Sequence, residues 1–232
     1  MLLDKSSVVI VIPSYNEGDR ITQVVKSIKQ KGYHSIVVVD DGSIDDSMES
    51  IKKYEVTVLH HLVNRGAGAA TETGLKYCRE VLNAGIVVMI DADTQHEVDD
   101  ISKLIETHIE QQADITIGNR FIEHNENIPF KNWFFNQIAN IITSIFAGKK
   151  VFDSQSGFKV FNNKALHSVI LEQDKYEHCS EIFIKGHEHN LKIIDVPIRV
   201  YYPTEIKDKG QHFFSGIRTL INLLHSVLFK NN

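Results

Sequence analysis

The chain has 232 residues, 42% apolar and 24% charged, which suits one globular domain with a sizeable core and excludes a disordered chain. Its formal charge of −5 offers no basic face for nucleic acid. The two cysteines, Cys78 and Cys179, build no disulfide framework and read as packing residues of a reducing compartment.

The N-terminus runs from Met1-Leu2-Leu3-Asp4-Lys5 into a strand-like segment, with no apolar signal region. No stretch approaches the roughly 20 apolar residues that span a bilayer. The expectation is a soluble, cytoplasmic protein. Near-continuous apolar runs at Val8–Ile12, Ile36–Val39, Val56–Leu59, Ile86–Ile90 and Asp114–Ile117 predict buried strands. Helical periodicity fills the intervals at Asp19–Lys31, Asp45–Lys53, Ala67–Val81 and Val98–Glu110. Such alternation predicts right-handed βαβ units and an α/β fold with a doubly wound, mostly parallel sheet flanked by helices.

After Phe121 the pattern changes. Asn132–Phe146 carries a wide apolar stripe and predicts a helix, Lys159–Phe161 a short strand, and Ser180–Glu188 another helix. Leu191–Val196 and Ile198–Tyr202 are strand candidates broken by Pro197, which places one of them at an edge or bend. We therefore expect one domain over residues 1–210, with a nucleotide-binding half at 1–120 and an acceptor half at 121–210. An amphipathic helix follows at 211–232.

In open parallel sheets, ligands bind beyond the carboxyl ends of the strands. Three polar clusters fall there: Pro13-Ser14-Tyr15-Asn16-Glu17, Asp40-Asp41-Gly42-Ser43 and Asp91-Ala92-Asp93-Thr94-Gln95-His96. One alone reads as turn and cap chemistry; three on one edge read as a site. Asp91 and Asp93 can share one hard divalent cation, with Gln95 as a further oxygen ligand, and Mg²⁺ at so few carboxylates suits a bound diphosphate. Asn64-Arg65-Gly66-Ala67-Gly68-Ala69-Ala70 is a glycine-bearing loop that lets backbone approach a ligand or another helix. It lacks the Walker ending and is no dinucleotide fingerprint.

These segments, with Gly118-Asn119-Arg120-Phe121 and Asp153-Ser154-Gln155-Ser156-Gly157-Phe158-Lys159, together resemble the inverting family 2 glycosyltransferases of GT-A fold. Within that family they are similar to the polyprenyl-phosphate sugar synthases, over roughly residues 7 to 200. The resemblance implies a UDP- or GDP-sugar donor, a Mg²⁺ or Mn²⁺ ion and a lipid-phosphate acceptor. It implies that Pro13, Tyr15 and Glu17 line the nucleotide pocket, with Val39, Asp40 and Asp41 at base and ribose. Asp91, Asp93 and Gln95 would hold the metal and, with Ala92, face the diphosphate. Arg120 would meet phosphate oxygens, which its fork of donors also suits on physical grounds. Lys209 matches a phosphate-facing lysine, while the arginine expected six residues earlier falls on Pro203, leaving Arg199 or Lys207 in its place.

A phosphomonoester acceptor, with a second pKa of about 6, is largely dianionic at neutral pH and needs no base. A glycan hydroxyl acceptor needs one, and Asp153 is the candidate, with a structural role in its own turn as the equal alternative. The resemblance implies inversion, and no second covalent carboxylate presents itself against it. Of the histidines, only His96 sits in the expected donor loop, where it would support the metal loop. By the resemblance, Glu181 matches an acidic position near the acceptor side; an ordinary helix-surface role is the alternative. The apolar C-terminal helix reads as packing on the domain or on a second subunit, making a homodimer, with contact at a membrane surface as the second reading. Nucleotidyl transfer is disfavoured by Pro13-Ser14-Tyr15-Asn16-Glu17, where that chemistry needs a glycine-rich basic loop. A non-catalytic binding module is disfavoured by the intact Asp91 and Asp93.

Overall fold

A computed structural model describes residues 5–123 and 128–202. Its strands are β1 (Val8–Ser14), β2 (Ser35–Asp40), β3 (Thr57–His60), β4 (Ile86–Met89), β5 (Ile115–Asn119), β6 (Lys159–Asn162) and β7 (Ile193–Pro197). They form one seven-stranded sheet in the order β3-β2-β1-β4-β6-β5-β7. β3, β2, β1 and β4 run parallel, with Val11 opposite both Val37 and Met89. β6 is antiparallel to β4 and to β5, and β7 is parallel to β5.

Helices cover both faces. α1 (Asp19–Gln30) buries Ile21, Val24, Val25 and Ile28, one stripe of a helix, on the face that also holds Ile10, Val38 and Leu104. α4 (Asp100–Glu110) packs there too, through Ile101, Leu104 and Ile105. The opposite face takes α3 (Ala67–Glu80) and α7 (His178–Glu188), with Leu75 and Ile182 packed over Val11 and Val39. α2 (Ser47–Ile51) lies against α1, α6 (Asn163–Ser168) follows β6, and α5 (Phe130–Ala147) packs on α7.

The α/β class and all five N-terminal strands match the apolar runs, to within two residues at each end. Three departures have physical causes. β6 enters antiparallel between β4 and β5 in a sheet that is otherwise parallel; a four-residue strand carries no signal of its direction. The second of the two late strands is absent: Pro197 is the last residue of β7, and beyond it only Val200 bridges back to His96. β7 is an edge strand, where a proline is tolerated. The one-and-a-half turns of α6 are too short for periodicity to announce; the cap is the local signal, Asn162 accepting from the Ala165 N–H at 2.8 Å. The expected helix at 211–232 lies outside the described residues, as does Lys209. Among the described residues no helix is long and apolar enough to cross a membrane.

Candidate active site

The carboxyl ends of β1, β2 and β4 open into a cleft of about 680 Å³. Pro13, Tyr15, Glu17, Asp41, Asp91, Ala92 and Asp93 all line it, together with Lys175 and Tyr176, which the sequence did not single out. A second cavity of about 250 Å³ shares Pro13, Ala67, Asp91, Asp93 and Tyr176 with the first and adds Gln95, Arg120, Gln155, His178 and Cys179. The two carboxylates therefore stand on a common wall between two spaces.

The turn after β1 is tied to the turn after β2. Asn16, at a left-handed φ of 52°, donates its N–H to Ser43 Oγ (3.0 Å), and its Oδ1 accepts from the Ile44 N–H (2.9 Å). Asp40 accepts from the Ser43 N–H (2.9 Å) and lies 3.0 Å from His60 Nδ1. Asp41 accepts from the Arg65 N–H (3.0 Å) and the Gly66 N–H (2.7 Å), with His61 Nδ1 at 2.7 Å. Both carboxylates thus hold loops in place; Asp41 borders the cleft and Asp40 does not. Val39 is buried in the core beneath Gly74 of α3.

At the end of β4, Asp93 accepts from the Gln95 N–H (3.0 Å), which closes a tight turn with Thr94 at φ 66°. His96 Nε2 lies 3.6 Å from Asp91 Oδ2, and the ring packs on Phe158 at 5.3 Å. Burial pushes the Asp91 carboxyl up, but the His96 hydrogen bond, with the charges of His96, Lys159 and His178, holds it below its ordinary value. Asp93 moves the other way, raised by burial and then by the charge of Asp91. Among the described residues no three His, Cys, Asp or Glu side chains converge as metal ligands. Two crowded carboxylates at a cleft wall fit a cation that takes its other ligands from water and phosphate. Gly157 completes this wall: a Cβ there would overlap the Asp91 carboxylate.

Arg120 follows β5 and meets Asp153 in a fork, Nε to Oδ2 at 2.9 Å and Nη2 to Oδ1 at 2.6 Å; the Arg120 N–H also donates to Oδ2. Asp153 is fully buried and does not face either cavity. Both of its oxygens are taken by Arg120. Burial lowers the Arg120 pKa, but the charge and hydrogen bonds of Asp153 more than reverse this, so the guanidinium stays charged. Asn140 of α5 fixes the same loop, accepting from the Ser154 N–H (2.7 Å) and donating to the Phe152 carbonyl (2.6 Å).

Glu181 is not the helix-surface residue of its second reading. It is buried, accepts from the backbone N–H of Glu172 and Gln173, and pairs with Lys185 at 2.9 Å. Arg199 is exposed and lines neither cavity. α5 borders the second cavity through Asn132, Phe135 and Asn136 and leaves Phe130, Trp133, Ile141 and Ile145 exposed.

The family model for glycosyl transferase family 2 matches residues 9–170. An uncharacterised protein of Methanocaldococcus jannaschii is 36% identical over 231 residues, covering 98% of this chain and 95% of that one. The UDP-N-acetylglucosamine–dolichyl-phosphate N-acetylglucosaminyltransferase of Methanococcus voltae is 35% identical over 237 residues, covering 93% and 94%. Among solved structures, glucosyl-3-phosphoglycerate synthase of Mycobacterium tuberculosis with Mn²⁺ and UDP-glucose superposes with a TM-score of 0.74. It is 17% identical over 94% of this chain and 78% of its own.

Proposed function

The chain belongs to glycosyltransferase family 2, and from that premise we propose that it transfers a sugar from a UDP- or GDP-sugar to a polyprenyl (dolichyl-type) phosphate, with a divalent cation and with inversion. Its sheet has the GT-A architecture. The observation that carries the reading is the position of Asp91 and Asp93 on the wall shared by the two cavities. One cavity then takes the nucleotide and the other the acceptor, and the anomeric carbon lies between them. The dolichyl-phosphate transferase from Methanococcus voltae, alike along nearly its whole length, supports the choice of acceptor.

Asp91 and Asp93 would hold Mg²⁺ or Mn²⁺ with diphosphate oxygens, and Gln95 is the third expected ligand. A cation bound there supplies Lewis-acid neutralisation of the departing diphosphate. Tyr15, Glu17 and Asp41 border the nucleotide end of the donor cleft. Arg120, fixed by Asp153 and with Nη1 3.4 Å from the Tyr202 hydroxyl, lines the second cavity, where its guanidinium meets the acceptor phosphate. A phosphate oxygen attacks the anomeric carbon from the acceptor side as the bond to the donor's β-phosphate oxygen breaks, and that electron pair leaves on the diphosphate. No proton need move, which agrees with the acceptor cavity: among the described residues its only carboxylates are Asp91 and Asp93. A glycan hydroxyl acceptor would need a base there, and Asp153 is already committed to Arg120.

The exposed apolar side of α5 beside the acceptor cavity supports peripheral contact with the membrane that carries such a lipid. Thermal-shift titration with UDP-, GDP- and their sugar derivatives, with Mn²⁺ and with EDTA, tests the donor site. A metal-dependent rise in melting temperature with one nucleotide class, lost in Asp93→Ala, is the expected result. Folded protein with no shift for any of them would overturn the reading.

A further inference from the structure

The glycines at the start of α3 serve a purpose that the expected donor chemistry does not explain. Gly66 sits at φ 117°, and a Cβ on it would overlap the Asp174 carbonyl oxygen; a Cβ on Gly68 would overlap that of Gln173. The space these residues leave is therefore filled by the backbone of residues 173–175. Three further ties fix that backbone. The Ala69 N–H donates to the Asp174 carbonyl at 3.0 Å, Arg65 pairs with Asp174 at 3.2 Å, and Glu181 accepts the N–H of Gln173 at 3.0 Å. The Lys175 carbonyl is taken by His178 Nδ1 at 2.6 Å. A segment without helix or strand is thus held from both sides as a strap along the rim of the donor cleft.

The strap carries Lys175. Its stem runs over Gly66, and it lines the donor cleft but not the acceptor cavity. Among the described residues lining that cleft it is the one lysine or arginine, on a lining shared with Glu17, which Arg20 already pairs at 2.6 Å, with Asp41, which His61 meets at 2.7 Å, and with Asp91 and Asp93. A polyanionic nucleotide entering this acidic cleft needs cations; the expected metal answers Asp91 and Asp93 and Arg20 answers Glu17, which leaves no lysine or arginine but Lys175 on the described lining to meet the diphosphate itself. We propose that Lys175 is a donor-positioning residue whose ammonium binds the diphosphate of the nucleotide sugar, and that the Gly66–Gly68 seat exists to place it. The inference rests on the donor reading above.

The test compares wild type, Lys175→Gln and Lys175→Arg in titrations with UDP, GDP and the corresponding nucleosides, all with Mn²⁺. For whichever diphosphate wild type binds, Lys175→Gln raises Kd about tenfold, the size of one charge-assisted hydrogen bond, while nucleoside binding is unchanged and Lys175→Arg restores most of the loss. In turnover the loss falls on the donor KM rather than on kcat. An unaltered diphosphate Kd in Lys175→Gln, with wild type binding normally, overturns this inference alone. Wild type that binds no nucleotide overturns it together with the donor reading. Lys175 is exposed, so its replacement leaves folding intact, which an unchanged melting temperature verifies.

Discussion

Asp91 and Asp93 are separated by one residue, yet their environments drive them apart. His96 and the buried Lys159 hold Asp91 ionised, while Asp93 pays for burial and for Asp91's charge. Gly157 sets the distance at which this can happen. Gly157→Ala is expected to displace the Asp91 carboxylate and abolish metal-dependent nucleotide binding while the chain still folds; retained binding at wild-type affinity would count against the wall described here. Asp153→Asn strips one of the two charges from a buried fork. It should cost about 3 kcal/mol of stability and weaken acceptor binding, with the pH profile of kcat unshifted. A lost basic limb in that profile would instead restore Asp153 as a base. Asp41, Asp91, Asp93 and Arg120 were legible because each follows an apolar run at a strand end, and Asp153 because it precedes the turn-like Ser154-Gln155-Ser156-Gly157. Lys175, Tyr176 and His178 were not, since residues 173–177 have no period and their position is set by backbone contacts with α3. The signal was present in Gly66 and Gly68, whose missing side chains implied a close neighbour without saying which.

Among the elements, β6 has the largest effect on the site. Because it runs antiparallel between β4 and β5, its beginning, not its end, lies at their carboxyl edge. The loop before it can therefore bring Asp153, Gln155 and Gly157 to Asp91 and Arg120. Composition gave the strand but not its direction, which depends on the long excursion through α5. The packing of α4 on β5 carries a separate expectation. His108 of α4 is buried with Nδ1 2.9 Å from Thr116 Oγ1, and burial pushes its pKa down from 6.5 to about 4, against the opposing pull of Asp114. Between those values the unfolded chain binds a proton that the native protein does not, so stability is complete above pH 6.5 and falls as pH falls towards 4, by about 3 kcal/mol. Chemical denaturation at pH 7 and pH 5 should show this slope flattened in His108→Gln. Equal slopes in both proteins would refute the assignment.

At the scale of the molecule, an acidic protein is proposed to handle two polyanionic groups, a diphosphate and a lipid phosphate. In this proposal the task falls to local cations on the two cavities that share one acidic wall, Lys175 on one and Arg120 on the other. The division into halves at 1–120 and 121–210 is in the same sense a proposal, since β5 and β6 belong to one continuous sheet with β4. Separation of the two sides makes Arg120→Ala informative: nucleotide binding should survive while transfer is lost, and loss of both would show that the sides are not independent. The central claim is transfer to a polyprenyl phosphate, and the direct measurement is incubation of the purified protein with UDP- and GDP-sugars, Mn²⁺ and a short-chain polyprenyl phosphate, with the product analysed by mass and anomeric configuration. The account predicts a glycosyl phosphate lipid of inverted configuration, absent with EDTA and in Asp93→Asn. Transfer to a glycan hydroxyl with none to the lipid phosphate, or a retained anomeric configuration, would contradict it.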